Sequence, residues 1–221
     1  MTDDGSSITS DEVDALGQLD AVERALALVE DGDTVHSTAT ISQRYSTDVS
    51  DLWDAITTAD RLARWFGEVT GDLRVGGHYQ VTGNASGTIR TCDAPHAFTA
   101  TWEMFGAVTT ITVTVRAEDD GARLTLQHTG AVPAEIWSRF GPGGTGIGWD
   151  LGMLGLAHHL RTGGDTPAEQ TAWGRSDDAK AFMAGSSRRW ADVAIAAGTA
   201  EADARAAEER TTAFFTGAEQ L

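Results

Sequence analysis

Along the chain the spacing of apolar positions changes several times, and each change marks a candidate element. Val13, Leu16, Leu19, Val22, Leu26 and Val29 recur every three or four residues, which is the period of one helix face. Thr9 followed by Glu12 has capping-box spacing, and Asp31-Gly32-Asp33 supplies a stop. The pattern predicts one amphipathic helix ending near Glu30, preceded by a polar and disordered stretch over residues 1–8. From Thr34 the period drops to two, with Val35, Ser37, Ala39, Ile41, Gln43 and Tyr45 on one face of a long strand. Ser46-Thr47-Asp48 then opens a helix carrying Val49, Leu52, Trp53 and Ile56. A second short helix, residues 59–66, carries Leu62, Trp65 and Phe66.

Beyond Gly67 the chain reads as a strand meander over residues 68–73, 78–82, 87–93, 98–105, 109–117 and 123–129. Gly76-Gly77, Gly83-Asn84, Asp93-Ala94-Pro95 and Asp119-Asp120-Gly121 provide the turns. Consecutive strands with such short connections predict an antiparallel sheet. A glycine-rich loop, Gly141-Pro142-Gly143-Gly144, leads into a long helix over residues 145–160 with glycines at 148, 152 and 155. Three glycines in a helix cost about 2–3 kcal/mol relative to alanine, so either close packing or a deliberate gap is expected there. Residues 165–221 predict one or two further helices anchored by Trp173, Phe182, Trp190, Phe214 and Phe215.

Composition narrows the function classes. The 221 residues are 41% hydrophobic and 22% charged, ordinary values for a globular protein with one core. No apolar run approaches membrane-spanning length, and the N-terminus lacks the basic and apolar parts of a secretory signal. A cytoplasmic location without membrane insertion is the default. The net charge of −17 disfavours nucleic acid as a partner. Residues 1–33 hold ten acids and one arginine, the pattern of a solvated helix face. Cys92 is the only cysteine, so no internal disulfide or cysteine zinc site is available; its strand-like surroundings predict a small buried or half-buried side chain.

Several stretches carry a resemblance. Leu52-Trp53-Asp54-Ala55 with 57–66, ending in Trp65-Phe66, looks like the entry motif of the bacterial members of the Activator of Hsp90 ATPase homologue 1-like family. Residues 71–79 resemble its glycine-turn hairpin, 98–103 and 121–126 its later strands, and Gly146-Ile147-Gly148-Trp149 the start of its long helix. The resemblance covers about residues 34–164. It implies the START and Bet v 1-like helix-grip architecture: an α+β fold with a curved antiparallel sheet of about seven strands around a long helix, enclosing an internal cavity. Residues 1–33 then form an acidic tail and helix, and residues 165–221 a helical extension. That extension either packs on its own chain, the preferred reading, or pairs two copies as a homodimer. Relatives in the superfamily include lipid-transfer domains, hormone receptors, polyketide cyclases and a co-chaperone domain, so fold alone does not assign function. In the eukaryotic co-chaperone a separate domain precedes this one, whereas only residues 1–33 do so here; Hsp90 activation is therefore not carried over.

Candidate chemistry follows from that frame. Trp65, Phe66, Trp102, Phe105, Trp137, Phe140 and Trp149 form an aromatic set suited to walling a pocket for a small hydrophobic or aromatic ligand, although many such residues are ordinary core. The segment 131–144 is expected to be a loop controlling access. His78 and His128 are possible proton-transfer groups. Trp102 and Glu103 must face opposite ways on a strand, and Glu103 becomes the best acid–base candidate if it is the inward one. Arg44 and Arg90 are possible partners for a ligand carboxylate. His158 and His159 are adjacent on a helix and lack the i, i+4 spacing of a zinc pair. The glycine-rich loop lacks the lysine of a phosphate loop. No catalytic triad, metal or other cofactor is expected. A non-catalytic carrier or sensor is the first reading; a cyclase- or hydrolase-type enzyme and a chaperone-associated stress module are the alternatives.

Overall fold

The structure, a computed structural model, describes residues 15–164 and 173–218; the expectations for residues 1–8 and for Thr9, Glu12 and Val13 lie outside them. The first described helix, α1 (Ala15–Asp20), stops well short of Glu30. Its expected continuation is a strand, β1 (Glu23–Asp31), which alternates exposed and half-buried residues. Leu26 fits a period of two with Leu28 as readily as a helical one with Val29. A partner decides the matter, because β1 pairs along its whole length with β2 (Thr34–Tyr45), from Glu23↔Ser42 to Asp31↔Thr34. Gly32, at φ 58°, begins the two-residue turn between them, a position where tight hairpins favour glycine.

After β2 come α2 (Val49–Thr57) and α3 (Ala59–Trp65). The Asp48 carboxylate caps α2 by accepting from the Asp51 backbone N–H at 2.9 Å. The meander follows as β3 (Val69–Gly71), β4 (His78–Val81), β5 (Ser86–Asp93), β6 (Ala97–Met104), β7 (Ala107–Glu118) and β8 (Gly121–Pro133). Together with β1 and β2 these make one open antiparallel sheet of eight strands, ordered β1-β2-β8-β7-β6-β5-β4-β3. Then come α4 (Ala134–Phe140), the long helix α5 (Gly143–Thr162), a short 3-10 turn at Trp173–Arg175, α6 (Asp177–Ala196) and α7 (Glu201–Phe215). The architecture is the α+β helix-grip fold, with eight strands where about seven were expected.

The segment 131–144 is therefore not a loop. Its first residues extend β8, which pairs with β2 as far as Pro133↔Thr34. The next seven form α4, whose last carbonyls are met by α7: Arg210 donates to the Ser138 and Arg139 carbonyls at 2.8 and 3.0 Å, and Thr211 Oγ1 to that of Phe140 at 2.9 Å.

The inner face of the sheet supplies Ile41, Tyr45, Val113, Val115, Leu124 and Leu126 to the main core, against Leu52, Ile56, Trp65, Met153, Leu156 and Trp190 of the helices. A second cluster joins Leu19 and α5 to Ala179, Phe182 and Met183 of α6. Cys92 is exposed, a correction to the buried or half-buried expectation. β4 pairs only with Ser86–Thr88 of β5, leaving Cys92 with one neighbouring strand. Among the described residues no helix is long and apolar enough to cross a membrane.

Candidate functional site

Four rings from four elements meet between the inner face of the sheet and the first half of α5. Phe66, the residue that ends α3, lies parallel to Trp149 of α5 within 3°, with centroids 6.4 Å apart. Trp102 of β6 stands 4.9 Å from Trp149 and 6.4 Å from Phe66. His128 of β8 presents its ring edge-on to Trp149 at 5.8 Å and to Trp102 at 6.4 Å. Trp65 adjoins Phe66 at 5.4 Å but belongs to the deeper core, where its indole N–H donates to the Ala55 carbonyl at 2.9 Å. Phe66, His128 and Trp149 are only half-buried, whereas Trp65 and Trp102 are buried.

Polar atoms within the cluster form a directed chain. Trp149 Nε1 donates to His128 Nδ1 at 3.1 Å. His128 Nε2 lies 2.6 Å from Thr109 Oγ1, and that hydroxyl donates to the Trp102 carbonyl at 2.9 Å. An indole N–H can only donate, so Nδ1 is the acceptor and Nε2 carries the proton. Every step is then satisfied by a neutral imidazole. Burial pushes the His128 pKa down to about 4 from 6.5, in the same direction. Gly130 makes room for this arrangement, since a Cβ there would sit 2.4 Å from the Thr109 methyl.

The glycines of α5 play two different parts. A Cβ on Gly155 would lie 2.7 Å from the Trp65 carbonyl, so this glycine serves close packing of α5 against α3. A Cβ on Gly152 would reach the Phe66 ring at 3.9 Å, and one on Gly148 would meet nothing within 4 Å. At Gly148, next to Trp149 and one turn before Gly152, the helix surface therefore leaves open space.

The other sequence candidates lie elsewhere. Phe105 is 96% exposed at the turn between β6 and β7, with φ 52°. Trp137 and Phe140 sit on α4, and both border a small cleft against α6 and α7; Phe140 packs 5.7 Å from Phe214. The resemblance groups them with the pocket aromatics, and although tail helices are expected, nothing in the sequence signals that these would cover Trp137 and Phe140. Trp102 is the inward residue of its pair, so Glu103 faces away from the cluster and accepts from Thr101 Oγ1 at 2.9 Å. His78 is exposed, and alternates with buried Tyr79 on β4. Arg44 pairs with Asp120 and donates to the Glu118 carbonyl, while exposed Arg90 falls at an irregularity in the β5–β6 pairing. His159 is buried, takes a hydrogen bond from Arg61 Nε at 3.0 Å and contacts the Gly164 carbonyl through Nδ1. Of the two candidate histidines, His78 and His128, only His128 reaches the aromatic cluster.

The model of the family described as Activator of Hsp90 ATPase homolog 1-like protein matches residues 46–160, a stretch that contains all four rings of the cluster. The crystal structure of CalU16 from Micromonospora echinospora is similar with a TM-score of 0.63 and 27% identity, covering 79% of this chain and 99% of that one. The solution structure of CalU16 gives 0.64 at 27% identity over 80% and 97%. A conserved protein of unknown function from Enterococcus faecalis, EF2215, shares the fold at 0.54 and 14% identity over 77% and 92%. No curated protein matches the sequence.

Proposed function

The chain belongs to the Activator of Hsp90 ATPase homolog 1-like family, and from that premise we propose that it binds a small hydrophobic or aromatic molecule against Phe66, Trp102 and Trp149, as a cytoplasmic carrier or sensor. The observation that carries the reading is the incomplete burial of Phe66 and Trp149 beside the open space at Gly148. Large aromatic side chains gain most when fully covered, and here a planar guest would complete the cover. The fold supplies the frame, a sheet and helix between which apolar pockets form. His128 adds a polar mark, but both its nitrogens are already engaged, which favours retention of a guest over proton transfer to it.

The neutral aromatic dye N-phenyl-1-naphthylamine tests this reading. Saturable fluorescence enhancement at one site is expected, with a rise in Tm because the dye binds the native state. Trp149→Ala and Phe66→Ala should each weaken binding at least tenfold, whereas Phe105→Ala should leave it unchanged. Absence of saturable binding, or equal affinity in all three variants, would overturn the proposal.

A further inference from the structure

Asp150, the neighbour of Trp149 on α5, is buried with a side-chain exposure of 0%. Its Oδ1 accepts from Arg24 Nη2 at 2.6 Å. Its Oδ2 accepts from Arg24 Nε at 3.1 Å, Ser186 Oγ at 2.5 Å and Trp190 Nε1 at 3.0 Å. Arg24, whose side chain is 4% exposed, donates through Nη1 to the Leu19 and Val22 carbonyls. Gly146, one turn before Asp150, clears the seat for Trp190: a Cβ there would lie 2.3 Å from the indole. Asp150 lies inside the family-matched stretch 46–160, yet Arg24, Ser186 and Trp190 all lie outside it. The family stretch alone supplies none of these partners, and a carboxylate buried without them would be strongly unfavourable, so burial of Asp150 depends on β1 and α6.

We propose that Asp150 is a positioning residue for the aromatic cluster: anchored by β1 and α6, it fixes the rotation of α5 about its axis and so aims Trp149 at His128. Consecutive residues on a helix point about 100° apart, so Asp150 can face α6 and β1 while Trp149 faces β8. A rotation of α5 by about 20° would move a group about 6 Å from the axis by about 2 Å. That displacement breaks a hydrogen bond of 3.1 Å. The flanking segments are thus parts of the site and not appendages to it. The inference rests on the ligand-binding reading only for its affinity readout.

The test uses the full chain labelled for observation of indole N–H and imidazole resonances by NMR, with the Trp149 signal assigned through Trp149→Phe. Trp190→Phe keeps a ring over Gly146 and removes one donor; Ser186→Ala removes another with less risk to folding. Both should shift the Trp149 indole resonance, raise the His128 titration midpoint above about 4, and weaken N-phenyl-1-naphthylamine binding at least threefold. Ala207→Gly in α7 serves as a control that lowers Tm without moving either resonance. An unchanged Trp149 resonance and His128 midpoint in both variants would overturn the proposal, whatever happens to Tm. If those signals move but the parent protein fails to bind the dye, the ligand reading falls and the positioning role stands.

Discussion

Trp149 donates its indole N–H to Nδ1 of His128 at 3.1 Å, and that bond decides the charge of the imidazole as well as its tautomer. A proton on Nδ1 would face another N–H with no acceptor between them. The neutral form is held from one side by Trp149 and from the other by Thr109, and burial acts in the same direction.

Stability should therefore fall in acid in a window set by His128. The folded pKa is about 4 against an ordinary 6.5, so between those values the unfolded chain binds more protons and stability rises with pH. The contribution is complete above pH 6.5 and is lost as the pH falls toward 4, amounting to at most about 3 kcal/mol. Denaturant melts at pH 7 and pH 4.5 measure it, and His128→Gln should flatten that part of the profile. An identical pH dependence in the variant would contradict the assignment.

Two glycine-to-alanine substitutions on the same helix should have opposite signs. Gly155→Ala drives a methyl to 2.7 Å from the Trp65 carbonyl, and overpacking of this kind costs about 1–3 kcal/mol. Gly148→Ala meets no atom within 4 Å and should gain about 0.8–1 kcal/mol from helix propensity. Thermal melts of the pair are the check. Gly148→Leu should fill the open space and abolish dye binding while leaving the protein folded.

Asp150→Ala should be among the most damaging single changes, at about 3–5 kcal/mol, because it strands Arg24 as a buried and unpaired charge. Asp177→Ala removes the surface partner of Lys180 and should cost less than about 1 kcal/mol. Equilibrium unfolding in urea separates the two cases. Similar losses would mean that the buried network is solvated more than its exposure indicates.

Phe105→Asn should raise Tm by about 2–4 °C, corresponding to about 1 kcal/mol in a chain of this size. Phenylalanine holds φ 52° in a tight turn while 96% exposed, and asparagine tolerates that conformation better. No change in Tm would show that the turn relaxes without strain.

Much of the fold was legible in the sequence because its signals are local. Turn chemistry at Gly83-Asn84 and Asp119-Asp120-Gly121 sits where β4, β5, β7 and β8 begin or end. The fate of residues 23–31 was not legible, since Leu26 and Val29 fit a helix while Leu26 and Leu28 fit a strand; the pairing with β2 decided it. For the candidate site, strand parity offered Trp102 or Glu103 as the inward residue, and only the packing of Phe66 and Trp149 selects Trp102. The bond between Arg24 and Asp150 spans 126 positions, and no periodicity within either segment encodes it. Trp137 and Phe140 were misplaced for a related reason: their cover comes from α7, more than 60 residues downstream.

The carboxylate of Asp150 also imposes an order on folding during synthesis. As the chain leaves the ribosome, Asp150 emerges 36 residues before Ser186 and 40 before Trp190. During that interval the carboxylate has Arg24 as a partner but lacks Ser186 and Trp190, so the final seating of α5 waits for α6. The sheet has all eight strands in hand by Pro133, yet its helical cover is completed last. A nascent chain arrested before residue 186 should remain open to protease across α5, and release to full length should close it.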